Sequence, residues 1–86
     1  MLNVKQSDRV SISLKVKIDL NGNTYYSVFS KGHRIRHGRD LELSDFQNRT
    51  DALQKFLNKM GWNFDGIWIE GKFSDMEFVY TYIEEN

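Results

Sequence analysis

Val10, Ile12, Leu14, Val16, Ile18 and Leu20 alternate with Ser11, Ser13, Lys15, Lys17 and Asp19. Apolar and polar positions at a period of two mark a half-buried β-strand. The NGN that follows at 21–23 tolerates the positive φ of a tight turn, and TYYSVFS at 24–30 is rich in β-branched and aromatic residues, so a hairpin is predicted. Its register is open. A loop of two residues sets Lys17 opposite Tyr26, and a loop of three sets Lys15 opposite Phe29. In both, the lysine-rich outer face of the first strand lies beside a large aromatic ring.

Gly32 interrupts the second strand and reads as a bulge or bend, after which HRIRH alternates again around Ile35 and stops at Gly38. LEL at 41–43 is either a short strand or the approach to a helix. The helix itself is predicted over SDFQNRTDALQKFLNKMG, where Phe46, Leu53, Phe56, Leu57 and Met60 form one stripe. Two N-terminal caps compete, Ser44 with Gln47 and Asn48 with Asp51, while Gly61 closes the last turn and Trp62 folds back on it. Two more strands are expected at 64–73 and 76–84, joined at FSD. In the second, Phe78, Tyr80 and Tyr82 share one face and Val79, Thr81 and Ile83 the other, which suits a central strand or a subunit contact.

These elements predict an α+β fold, an antiparallel sheet of about four to five strands packed on one α-helix in the order β-β-(β)-α-β-β, forming a single domain over residues 1–86. The expected core is Val10, Ile12, Leu14, Val16, Ile18, Leu53, Phe56, Leu57, Met60 and Trp68.

Composition narrows the function classes. With no cysteine there is neither a disulfide framework nor a thiolate metal site, and a reducing cytoplasm is the expected location. Lys5, Asp8, Arg9, Lys15 and Lys17 break up the first twenty residues, and no apolar run approaches the length of a membrane span, so no membrane partner is expected. The net charge of zero hides an asymmetry: residues 1–40 carry eight Lys or Arg against three Asp or Glu, and residues 41–86 carry four against nine. Folding can turn that asymmetry into one basic and one acidic face.

From Asp51 through Glu85, DALQKFLNKMGWNFDGIWIEGKFSDMEFVYTYIEE resembles the helix, Gly-Trp, strand-hairpin module of small uncharacterised bacterial or phage proteins. In that module Glu usually follows Gly-Trp, whereas Asn63 stands here. The resemblance implies an α+β architecture and carries no functional residue across.

Within KGHRIRHGRD at 31–40, Lys31, Arg34, Arg36 and Arg39 form a basic strip suited to phosphates, and Arg34 and Arg36 share a strand parity. His33 and His37 are four residues apart, about 13 Å along an extended strand, too far for an easy metal pair. They read as companions of the arginines, and no metal or cofactor is expected. A general acid-base site could be drawn from either histidine with Asp40 or Glu42, but histidines beside arginines also serve phosphate contact without chemistry, and the chain is read as no enzyme. The expected function is therefore binding of RNA or single-stranded nucleic acid through a basic sheet face and edge, at Lys15, Lys17, Tyr26, Lys31, His33, Arg34, Arg36, His37 and Arg39. The alternative is a protein inhibitor or adaptor, a phage or bacterial factor neutralising a nuclease, toxin or defence complex. It would dock through Glu70, Asp75, Glu77, Glu84 and Glu85 with Trp68, Phe73 and Tyr80. A third expectation is a homodimer held by the opposite-sign halves.

Overall fold

The computed structural model describes residue 2, residues 11–62 and residues 66–84. Its elements are β1 (Ser11–Ile18), β2 (Thr24–Ser30), β3 (His33–Gly38), α1 (Asp45–Met60), β4 (Gly66–Ser74) and β5 (Glu77–Glu84). The five strands form one antiparallel sheet in the order β3-β2-β1-β5-β4, with the helix on one face. The α+β class is the expected one, with HRIRH a full strand and residues 41–43 a loop leading into the helix. Val10 and residues 64 and 65, which the expected strands included, lie outside the described residues.

Turn chemistry sets the strand registers. Between β2 and β3, Lys31 and Gly32 have φ of 49° and 79°, and Ser30 pairs with His33 across them. Gly32 is thus the second residue of a two-residue hairpin turn with positive φ at both positions, and not a bulge. Between β1 and β2 the loop is Leu20, Asn21 and Gly22: Gly22 N–H donates to the Asp19 carbonyl at 3.0 Å, Asp19 N–H donates to the Asn23 carbonyl at 2.9 Å, and Gly22 has φ 82°. This three-residue loop begins one position before the expected NGN. The ladder consequently sets Lys17 opposite Tyr25 and Lys15 opposite Ser27, which is neither of the two expected alignments. Burial favours it, because Leu14 then faces Val28 and Val16 faces Tyr26 beneath the helix.

Ser44 caps α1, its hydroxyl accepting from Gln47 N–H at 3.1 Å. Gly61 closes the helix in the left-handed region, and Trp62 N–H reaches back to the Leu57 carbonyl at 3.1 Å while its indole meets Phe56 edge-on at 5.8 Å. Asn48, the competing cap in the sequence, lies inside the helix and is fully buried. Its carboxamide accepts from Asp40 N–H at 2.8 Å and donates to the carbonyls of Asp40, Leu43 and Ser44, so it ties the loop after β3 to the first helical turns.

The core joins Ile12, Leu14, Tyr26, Val28, Ile35, Phe78 and Tyr80 of the sheet to Ala52, Leu53, Phe56 and Leu57 of the helix, with Val16, Met60 and Trp68 partly buried around them. Three apolar positions depart from the expected pattern, the first being Leu20, which lies fully exposed in the β1–β2 loop. Ile18 is 63% exposed because β1 ends there, and Phe46 of the helical stripe is 59% exposed in the first turn. At the rim of β3, Lys55 Nζ donates to the Arg36 carbonyl and Lys59 Nζ to the Arg34 carbonyl, both at 3.1 Å. These helical lysines occupy acceptors that an edge strand would otherwise present to another chain.

Candidate nucleic-acid interface

Strand parity divides the basic residues between the two faces of the sheet. Ile35 is buried under the helix, so His33 and His37 take its side of β3, and Arg34 and Arg36 take the opposite side. On β1, Ile12, Leu14 and Val16 face the helix while Lys15 and Lys17 face away. On β2, Tyr26 and Val28 face inward, leaving Tyr25, Ser27 and Phe29 on the outer side.

The outer face of β1, β2 and β3 therefore gathers Lys15, Lys17, Arg34 and Arg36 around Tyr25 and Phe29. Cross-strand register fixes the neighbours: Arg34 lies opposite Phe29, Arg36 opposite Ser27, and Ser27 opposite Lys15. Cations cover the rings, with the Arg36 guanidinium 3.7 Å from the Tyr25 centroid, that of Arg34 4.8 Å from Phe29, and Lys15 Nζ 5.8 Å from Phe29. Such contacts are worth about 0.5–1 kcal/mol where exposed and leave the outer plane of the guanidinium open. Arg36 also meets the Asp19 carboxylate at 3.5 Å. The other oxygen of Asp19 accepts from the amides of Asn21 and Asn23, so this acidic neighbour is held by its turn, and a second, Glu77, lies opposite Lys15.

Not all of the expected site assembles. Tyr26 is 2% exposed in the core, and the ring beside the lysines is Tyr25, one residue earlier. His33 and His37 lie on the helix side and do not accompany the arginines. Lys31 sits in the β2–β3 turn. Arg39 leaves the end of β3 on the helix side, its guanidinium donating to Asp45 at 3.0 Å. Four of the nine residues, Lys15, Lys17, Arg34 and Arg36, share the outer face. Tyr25, Ser27, Phe29 and Asp19 join them, and the shared odd numbering of Tyr25, Ser27 and Phe29 was the sequence signal for the first three.

The same outer face changes character across β5 and β4. Ile67 pairs with Ile83, Ile69 with Thr81 and Gly71 with Val79. The side chains of Ile67, Ile69, Val79 and Ile83 form an exposed aliphatic strip next to the cationic half.

On the helix side, a groove of about 270 Å³ lies between α1 and the inner faces of β4 and β5, lined among others by Phe46, Leu57, Trp68, Glu70 and Tyr80. Its polar groups are already engaged. Arg49 Nε and one terminal nitrogen grip the two Glu70 oxygens at 3.0 and 3.1 Å, and the Tyr80 hydroxyl donates to Glu70 Oε2 at 2.6 Å. Burial pushes the Glu70 carboxyl up, but hydrogen bonds from Arg49 and Tyr80 and the Arg49 charge outweigh it and hold the group below its ordinary range. Burial and the adjacent Glu70 carboxylate push the Tyr80 phenol up, so it remains a donor. Trp68 and Tyr80, expected anchors for a docked protein, face this groove, and Tyr80 is only 3% exposed.

No family model, curated protein or solved structure matches the chain. Among the described residues no helix is long and apolar enough to cross a membrane, and no three His, Asp or Glu residues are grouped so as to hold a metal ion.

Proposed function

We propose that this protein is a non-enzymatic binding module of the cytoplasm that takes RNA or another single-stranded nucleic acid on the outer face of β1, β2 and β3. The observation that carries the reading is the convergence of Lys15, Lys17, Arg34 and Arg36 on one helix-free sheet face with Tyr25 and Phe29 among them. Cations can follow a phosphate backbone, and aromatic rings or guanidinium planes can stack on unpaired bases. Removing two cations that each neutralise one phosphate of a single strand lowers the salt slope of log K by about 1.4 and, near 0.1 M salt, weakens binding by about 25-fold. Exchange of both Arg34 and Arg36 for Ala should do this in an anisotropy titration of labelled single-stranded RNA at several salt concentrations. Unchanged affinity and unchanged slope would refute the assignment.

A second reading, a protein inhibitor or adaptor, draws support from the exposed strip of Ile67, Ile69, Val79 and Ile83. An exposed aliphatic surface suits a protein partner better than a polyanion. Its anchors would be these aliphatic side chains and Phe73, which is 81% exposed, since Trp68 and Tyr80 face the helix.

A further inference from the structure

Ser27 stands at the centre of the cationic face, 3% exposed, and its hydroxyl is sealed from solvent with no hydrogen-bond partner among the described residues. Sheets rarely retain a buried hydroxyl without a partner, because its desolvation goes uncompensated. Its surroundings are not apolar. Lys15 lies directly opposite on one neighbouring strand and Arg36 directly opposite on the other, while Tyr25 and Phe29 precede and follow it on the same face. The cover over the hydroxyl is consequently made of long side chains. That of Arg36 is 61% exposed and is held by the 3.5 Å contact with Asp19 and by its stacking on Tyr25. The Asp19 side chain is 24% exposed, but at 3.5 Å from so exposed a guanidinium the contact opens at little cost.

We propose that Ser27 is the floor of a phosphodiester subsite: its hydroxyl donates to a phosphate oxygen once Arg36 and Lys15 swing outward to flank the same group. This rests on the nucleic-acid reading above and narrows it to an unpaired strand. Tyr25 and Phe29 lie four residues apart, about 13 Å along β2, with Ser27 midway. A phosphate at Ser27 therefore has a ring on either side for bases of the same strand. Only unpaired bases can reach such rings, and a flat sheet face enters neither groove of a duplex.

The subsite has a signature distinct from that of a charge. A neutral hydroxyl releases no counterion, so Ser27→Ala should weaken binding of a single-stranded oligouridine of about twelve nucleotides by about tenfold while leaving the salt slope unchanged. Ser27→Thr, which keeps the hydroxyl, should bind as the wild type does. Removing an unpartnered buried hydroxyl should leave the midpoint of thermal unfolding of Ser27→Ala equal to or above that of the wild type, which separates lost binding from lost folding. Binding of Ser27→Ala equal to that of the wild type, while the Arg34 and Arg36 double exchange binds more weakly, would overturn the subsite and leave the face assigned. No binding of the oligonucleotide by the wild-type protein would overturn both.

Discussion

The ion pair beneath the helix offers the sharpest test of the packing. Replacing Glu70 with Gln removes the charge that a bidentate Arg49 and the Tyr80 hydroxyl share. The Arg49 and Glu70 side chains are only 14% and 19% exposed, and the guanidinium lies 4.0 Å from the Phe78 ring centroid, so water cannot readily take the place of the lost partner. Removing one member of a fully buried pair costs about 3–5 kcal/mol, and the residual exposure here argues for the low end, about 3 kcal/mol. A domain of this size has about 4–13 kcal/mol to lose. Urea unfolding followed by tryptophan fluorescence should show that loss. Tyr80→Phe should lose about 1.5 kcal/mol, the worth of one hydrogen bond to a charged group. A combined Arg49→Met and Glu70→Leu exchange should cost less than the two single exchanges added together, by at least about 1.5 kcal/mol. Acid adds a second signature. Glu70 is held below the ordinary value of 4.5 in the folded chain, so its contribution is complete above that value and is lost as pH falls through the lower folded value. Wild type should lose stability there faster than Glu70→Gln. A cost under about 0.5 kcal/mol, or parallel acid profiles for the two proteins, would refute the reasoning.

Two further exchanges probe how the loops are built. Asn48→Ala leaves the Asp40 amide without its partner, while the Asp40 carbonyl keeps Leu43 N–H, and four hydrogen bonds of 2.8–3.3 Å made by a fully buried carboxamide disappear; destabilisation by about 1–3 kcal/mol in chemical denaturation is expected, and a loss below about 0.5 kcal/mol would show that the loop does not depend on this carboxamide. Lys31 holds φ 49°, a conformation that Asn tolerates far better than Lys, so Lys31→Asn should raise stability by about 1 kcal/mol, and a lower unfolding midpoint would contradict the turn assignment.

How far the chain could be read before folding depended on whether a feature was periodic. The alternation of β1 through Val16, the apolar stripe Leu53, Phe56 and Leu57, and the Gly61 cap are local, and each stands where its pattern places it, while Ser44 is the one of two competing N-terminal caps that the helix uses. The β1–β2 register was local too, but not periodic. It turned on whether Leu20 belonged to the strand or to the loop, and this was decided by Asp19, whose carboxylate caps the amides of Asn21 and Asn23. A slip of one residue exchanges the faces of a strand, which is why Tyr26 was expected among the lysines and Tyr25 is found there. The histidines are different, because their parity with Ile35 was already visible in HRIRH: if Ile35 anchors β3 in the core, His33 and His37 cannot share the arginine side. Asn48 looked like a cap because the loop that it secures forms only when β3 and α1 come together.

Topology explains how a neutral chain can present a basic surface. In a sheet ordered β3-β2-β1-β5-β4, the first three strands form one contiguous meander, and the C-terminal hairpin joins it along β1 alone. The cations of β1 and β3, Lys15, Lys17, Arg34 and Arg36, therefore stay together on one half of the sheet. Had a C-terminal strand inserted between β1 and β2, it would have divided the lysines of β1 from the arginines of β3. Among the described residues two carboxylates approach this cationic face: Glu77 lies opposite Lys15 at the seam, and Asp19 reaches Arg36 from the hairpin loop. The helix takes no part on this side. Its Lys55 and Lys59 are engaged by the carbonyls of Arg36 and Arg34 at the rim of β3, which leaves the two guanidinium groups directed at the open face. A polyanion approaching the sheet would meet the cationic half first, because that half alone carries long-range attraction, and the aliphatic half offers it none.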